Sequence, residues 1–186
     1  MPKNNLLGSE IKSWKDFVLD GKNYDLSHLD SHGIQVVDDR NSDNVRTYNI
    51  YVTYSFHCFA KDDGTLSEED KIKLNYDAHR DSRPFNIRRY NLSKNLPDII
   101  NSLGNKETLV FHRGYENYAT YKALDEDGNE VDYIVSFSIF KEQKKLRLHV
   151  RTAYPEDNGI GKVKKVSIFV LAYNALHSKK MPTLLP

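Results

Sequence analysis

The chain has 186 residues, 39% hydrophobic and 11% aromatic, which is enough to bury a core and unlike a disordered chain. Its formal charge is +1, so attraction to a polyanion has to come from local patches rather than from the molecule as a whole. Cys58 is the single cysteine, which excludes an intramolecular disulfide and suits a reducing compartment. No run approaches the roughly 20 apolar residues that span a bilayer, so the expectation is a cytoplasmic protein with no membrane contact.

The N-terminal "SEIKSWKDFVLDG" predicts a short amphipathic helix, with Ser9 as cap, Ile11, Trp14 and Val18 on one face and Gly21 as stop. A turn in "YDLSHLDSHG" leads to a short strand over Ile34 to Val37. "TYNIYVTYSFHCFA" reads as one long strand. Tyr48, Ile50, Val52, Tyr54, Phe56 and Cys58 would point one way. Thr47, Asn49, Thr53, Ser55 and His57 would point the other, with Tyr51 and Phe59 among them. Residues 61–87 hold no period and are read as a long loop with one helical turn.

"LSKNLPDIINSLG" predicts a helix: Leu96, Ile99, Ile100 and Leu103 follow helical spacing and Gly104 can end it. Pro97 then has to lie in the first turn, so Ser93 or Asn95 is the cap. The remainder reads as a meander with strands at 108–112, 117–124, 131–140, 145–153 and 164–173, turning at "DEDGNE" and "KEQKK". The last segment, "VSIFVLAYNAL", is apolar on both faces and fits a central strand or a terminal helix. The predicted fold is α+β: a mainly antiparallel, twisted sheet with an N-terminal helix and a mid-chain helix packed on one face. Residues 1–186 are read as a single domain, with 1–8 and 178–186 flexible.

Function is sought on the other sheet face. In "KKLRLHVRTAYP", Lys145, Arg147, His149 and Arg151 alternate outward. Asp132, Ser136 and Ser138 lie on the matching face of the preceding strand. Five lysines and arginines stand against one glutamate between Lys141 and Arg151. A floor of serines beside a basic wall suits phosphate; a solvated strand face is the plain alternative. A second basic group, "HRDSRPFNIRRY", sets Arg80, Arg83, Arg88 and Arg89 among Phe85, Tyr90 and the nearby Tyr76. Arginines grip phosphate with a planar fork and aromatic rings stack on unpaired bases. Otherwise Tyr90 anchors the loop and the arginines pair with the acidic 62–70 segment.

His57 and His149 are the candidates for proton transfer, because imidazole titrates near neutrality. Arginine neighbours lower the pKa of His149 and favour the neutral base. With arginines and a Thr or Tyr hydroxyl, the set meets the needs of RNA 2′-hydroxyl attack on the adjacent phosphate without metal. His28 and His32 in "HLDSH", with Cys58, make a weak zinc set, since there is one cysteine and the H-x3-H lies outside a firm helix, so no metal is expected. Cys58 is read as core. No Walker A, dinucleotide-binding or nucleophile-elbow pattern occurs, and no cofactor is expected.

"YDLSHL", "YVTYSFHCF", "FNIRRYNLSKNLPDII" and "LRLHVRTAYP", in this order, resemble a family of short bacterial proteins with no assigned activity. Separately, the strand end "VRTAYP" is similar to the closing part of barnase–EndoU–colicin–RelE-type ribonuclease toxin domains. That resemblance implies metal-free RNA cleavage on an antiparallel sheet, in a toxin or phage-defence setting. Thr152 and Tyr154 match the strand end, with Arg151 beside them. The leading expectation is a metal-independent endoribonuclease or RNA-binding domain. His57, His149, Arg151 and Tyr154 would be catalytic, and Arg88, Arg89, Arg147, Thr152 and Tyr90 would hold the substrate. Its ligand would be RNA or another phosphate-bearing molecule. The alternative is a non-catalytic binding protein whose basic face docks a protein partner, such as an antitoxin or defence component, or a nucleotide.

Overall fold

The computed structural model describes residues 12–79, 81–105, 110–113, 116–125, 127–156 and 164–182. Its main sheet is a mixed, largely antiparallel one. The strands are β3 (His32–Asp38), β4 (Arg46–Tyr54), β7 (Val110–Arg113), β8 (Glu116–Leu124), β9 (Glu130–Glu142), β10 (Lys145–Glu156) and β11 (Lys164–Val166). Their spatial order is β11-β7-β8-β9-β10-β4-β3. Strands β7 to β10 form the expected meander, and β10 then pairs in parallel with β4. Two small hairpins stand apart: β1 (Phe17–Leu19) with β2 (Lys22–Tyr24), and β5 (Asn75–Asp77) with β6 (Ser82–Pro84). Four helices among the described residues complete the α+β fold: α1 (Glu68–Lys73), α2 (Ile87–Ser93), α3 (Leu96–Asn101) and α4 (Ile168–Leu176).

One sheet face carries the core. Tyr48, Ile50, Val52 and Tyr54 of β4 pack beside Leu146, Leu148, Val150 and Ala153 of β10 and Tyr133, Val135, Phe137 and Ile139 of β9. Helix α4 packs on β9 and β10, and the 3-10 turn at 102–104 packs on β3. Among the described residues the opposite face carries a small apolar cluster of Phe111, Ile134 and Tyr154. Gln143 and Lys144 both adopt positive φ in the two-residue turn that joins β9 to β10, the twist that suits tightly connected strands.

Several local readings are corrected. Residues 17–24 form a hairpin, not the rest of an N-terminal helix, and Ser9 and Ile11 lie outside the described residues. Asp20 and Gly21 take positive φ and make the turn, and Val18, assigned to a buried helix face, is 62% exposed. Strand β4 ends at Tyr54, and the next residues wind into a 3-10 turn at Phe56–Cys58 that the Ser55 hydroxyl caps by accepting from His57 N. His57 is therefore on a turn and not a strand. The 61–87 segment is structured: Ser67 caps α1 by accepting from Asp70 N, the β5–β6 hairpin follows, and Asn86 caps α2 by accepting from Arg89 N.

Helix α3 keeps Pro97 in its first turn, with Asn95 at the cap position; its side chain does not cap the helix but donates from Nδ2 to Leu92 O at 3.0 Å. The 164–173 segment divides into β11 and α4. Ser167 caps the helix, and Ile168, Leu171, Ala172 and Ala175 are buried at helical spacing. The tail folds back over 178–182: Lys179 N donates to Asn174 O, Asn174 Nδ2 donates to Lys180 O and Met181 packs against the core. Residues 1–8 and 183–186 lie outside the described residues.

Candidate ligand-binding site on the open sheet face

The site begins with a β-bulge. Val150 faces Phe137 and Thr152 faces Ser136, so Arg151 is the extra residue. A one-residue insertion changes which side chains share a face. Below the bulge the open face carries Arg147 and His149. Above it the same face carries Thr152 and Tyr154, while Arg151 stands exposed at the bulge. The simple alternation through Arg151 is thereby corrected.

His149 lies opposite Ser138 on β9 and Thr53 on β4. Its Nδ1 is 2.9 Å from Thr53 Oγ1, a hydrogen bond that fixes the ring. Burial first, and then the Arg151 charge, push its pKa down to about 4. His57 is also held below the ordinary imidazole range, by burial and then by Arg83, with Arg89 adding to it. The two rings are close enough for the charge of one to disfavour that of the other. Both are neutral at pH 7.

Arg89 ties the turn to the sheet. Its Nη1 donates to His57 O at 2.8 Å and to Ala60 O at 3.4 Å, and its guanidinium lies 5.9 Å from the Tyr154 ring centroid. Thr152 Oγ1 donates to the same His57 carbonyl at 3.5 Å. Burial lowers the pKa of Arg89, which marks a cation held partly out of water. No carboxylate among the described residues pairs with it. His57, His149, Arg151, Thr152, Tyr154 and Arg89 thus gather at one end of the open face.

The other candidates lie elsewhere. Arg147 is spent within the protein: its Nε lies 3.0 Å from Glu142, an ion pair without good hydrogen-bond alignment, and its guanidinium covers Tyr51 at 4.6 Å. Arg88 is exposed on α2 beside a separate cleft of about 250 Å³ shared with Lys61, Phe85 and Ile87. Tyr90 is 7% exposed, enclosed by Tyr24 and Phe85 with Lys94 over its ring, so it cannot stack on a base. Nor do His28 and His32 converge on a shared ligand: His28 Nε2 meets Ser93 Oγ at 2.8 Å, and His32 Nδ1 meets Asp30 O at 3.1 Å. Cys58 is fully buried, with its thiol pushed up to about 12 by burial.

Thr53 falls on the polar face in the sequence pattern, but its partner is reached only through the parallel β4–β10 pairing. A second open feature, a cleft of about 640 Å³, lies beside Gly33, Gln35, Asn49, Tyr51 and Lys145.

The sequence profile of the YjaZ family matches residues 16–176. The chain belongs to the YjaZ family. Protein YjaZ of Escherichia coli (strain K12) is 41% identical over 175 residues, which cover 93% of this chain and 96% of that protein. No solved structure matches the chain. The YjaZ match takes in the whole sheet and every residue of the Arg89–His149 cluster. Neither the family description nor the relative's name states an activity. No described helix is long and apolar enough to cross a membrane.

Proposed function

We propose that the chain is an RNA-binding domain that holds a single-stranded phosphodiester at the His57–His149–Tyr154 end of its open sheet face. The observation that carries this reading is Arg89, a partly buried cation with no acidic partner among the described residues. A buried charge without a partner is costly, and an anionic ligand supplies the missing charge. Phosphate suits the fork of an arginine, and exposed Arg151 adds a second cation. The Tyr154 ring and the Thr152 hydroxyl stand beside them for stacking and hydrogen bonding.

Cleavage is the second reading, favoured by one feature. The bond to Thr53 at Nδ1 fixes the His149 ring, and a general base has to be held in place in this way. A pKa near 4 keeps that base free at pH 7 but makes it weak, and His57 is not held protonated to act as the acid. The chemistry therefore favours binding over turnover. The toxin or phage-defence setting belongs with this second reading, since both rest on the "VRTAYP" strand end.

Incubation with single-stranded RNA in excess EDTA separates the two. The expected result is retention of intact RNA by the protein, weakened by added salt. Fragments ending in 2′,3′-cyclic phosphate, lost on His149→Ala, would move the assignment to a metal-free ribonuclease. Neither retention nor cleavage would remove RNA as the ligand.

A further inference from the structure

Strand β3 is the outermost strand of the main sheet on its side, and among the described residues nothing pairs with its outer edge. Edge strands are commonly protected by proline, lysine, bulges or inward charge. The stretch Gly33–Val37 has none of these, and it is paired with β4 without interruption. Lys12 O accepts from Ser31 N just before the strand, so among the described residues the unpaired edge begins at His32.

We propose that two copies of the chain join edge to edge through antiparallel pairing of their β3 strands, with Gln35 on the two-fold axis. This interface is independent of the RNA reading. In that register Ile34 faces the partner's Val36, both on the core side, so the two cores run on into each other. On the open side Val37, 44% exposed, faces the partner's Gly33. A Cβ at Gly33 would meet nothing within 4 Å, so a valine side chain has room there. At the strand ends His32 faces the partner's Asp38, whose carboxylate is held by its own Arg40. Self-pairing in the same register is what a two-fold interface demands. A residue shift of one would place Ile34 and Val36 against open-face neighbours and lose the match. The result is one continuous sheet with both open faces on the same side.

Sedimentation of the full chain over a concentration series tests this. The expected result is a rise in mass from 21.6 kDa toward twice that value, abolished by Val37→Lys, which puts a charge on the edge without touching the core. Gln35→Cys should form a covalent dimer on mild oxidation, while Thr47→Cys, exposed on β4 away from the edge, should not. Cys58 is buried and does not interfere. A monomer at every concentration, or equal cross-linking at positions 35 and 47, would overturn the interface.

Discussion

Acidification from pH 7 to pH 4 is expected to destabilise the protein, and His149 alone should account for on the order of 3 kcal/mol of the loss. The unfolded imidazole takes up a proton near pH 6.5, whereas the folded one, buried beside Arg151, resists until about pH 4. Within that window the unfolded state binds more protons, so stability falls as pH falls. Above it both states are neutral and His149 contributes no slope. Denaturant midpoints at several pH values should therefore fall more steeply for the native protein than for His149→Gln, whose amide can still bond Thr53. His57 and His28 shift in the same direction and remain in both proteins, so the difference isolates His149. Parallel curves for the two proteins would mean that the ring is not held neutral by its surroundings.

Replacing Arg89 by glutamine should weaken single-stranded RNA binding by about 10- to 100-fold, the worth of one charge-assisted hydrogen-bonding group. The effect should exceed that of Arg88→Gln, because Arg88 faces a different cleft. It should also exceed that of Arg147→Gln, because Arg147 is already paired with Glu142 and Tyr51. Glutamine can still donate to the His57 and Ala60 carbonyls, so a large fall in stability is not expected. Fluorescence anisotropy with a labelled oligonucleotide, at fixed salt, measures all three. Equal losses at the three positions would indicate diffuse electrostatic attraction rather than a built site.

Much of the scaffold could be read from pattern. Alternation in "LRLHV" and "VDYIVSFSIF" correctly separates Leu148 from His149 and Phe137 from Ser138, because each strand buries one face. The loops at Asp125–Asn129 and Gln143–Lys144 carry their own turn chemistry. The bulge at Arg151 has no such mark: a continuous period of two hides an inserted residue, and Thr152 and Tyr154 come to share the His149 face only because of it. The parallel join of β4 to β10 links residues 96 positions apart, at Thr53 and His149, and no local signal points to it. Arg89 was among the candidate arginines from composition, yet what sets it apart from Arg88 and Arg147 is burial and partnering, which only the packing of α2 against β10 and the 56–58 turn supplies. In α4 the apolar run suited either element, and Ser167 at its start was the overlooked cap.

The most direct test of RNA recognition at this end of the sheet is an NMR titration of the protein with single-stranded RNA, following the imidazole signals of His57 and His149 and the backbone amides of β10. Saturable shifts are expected that centre on His149, Thr152 and Tyr154, with small changes at Arg88 and on the helical side of the sheet. Shifts confined to other surfaces, or none at low salt, would contradict it.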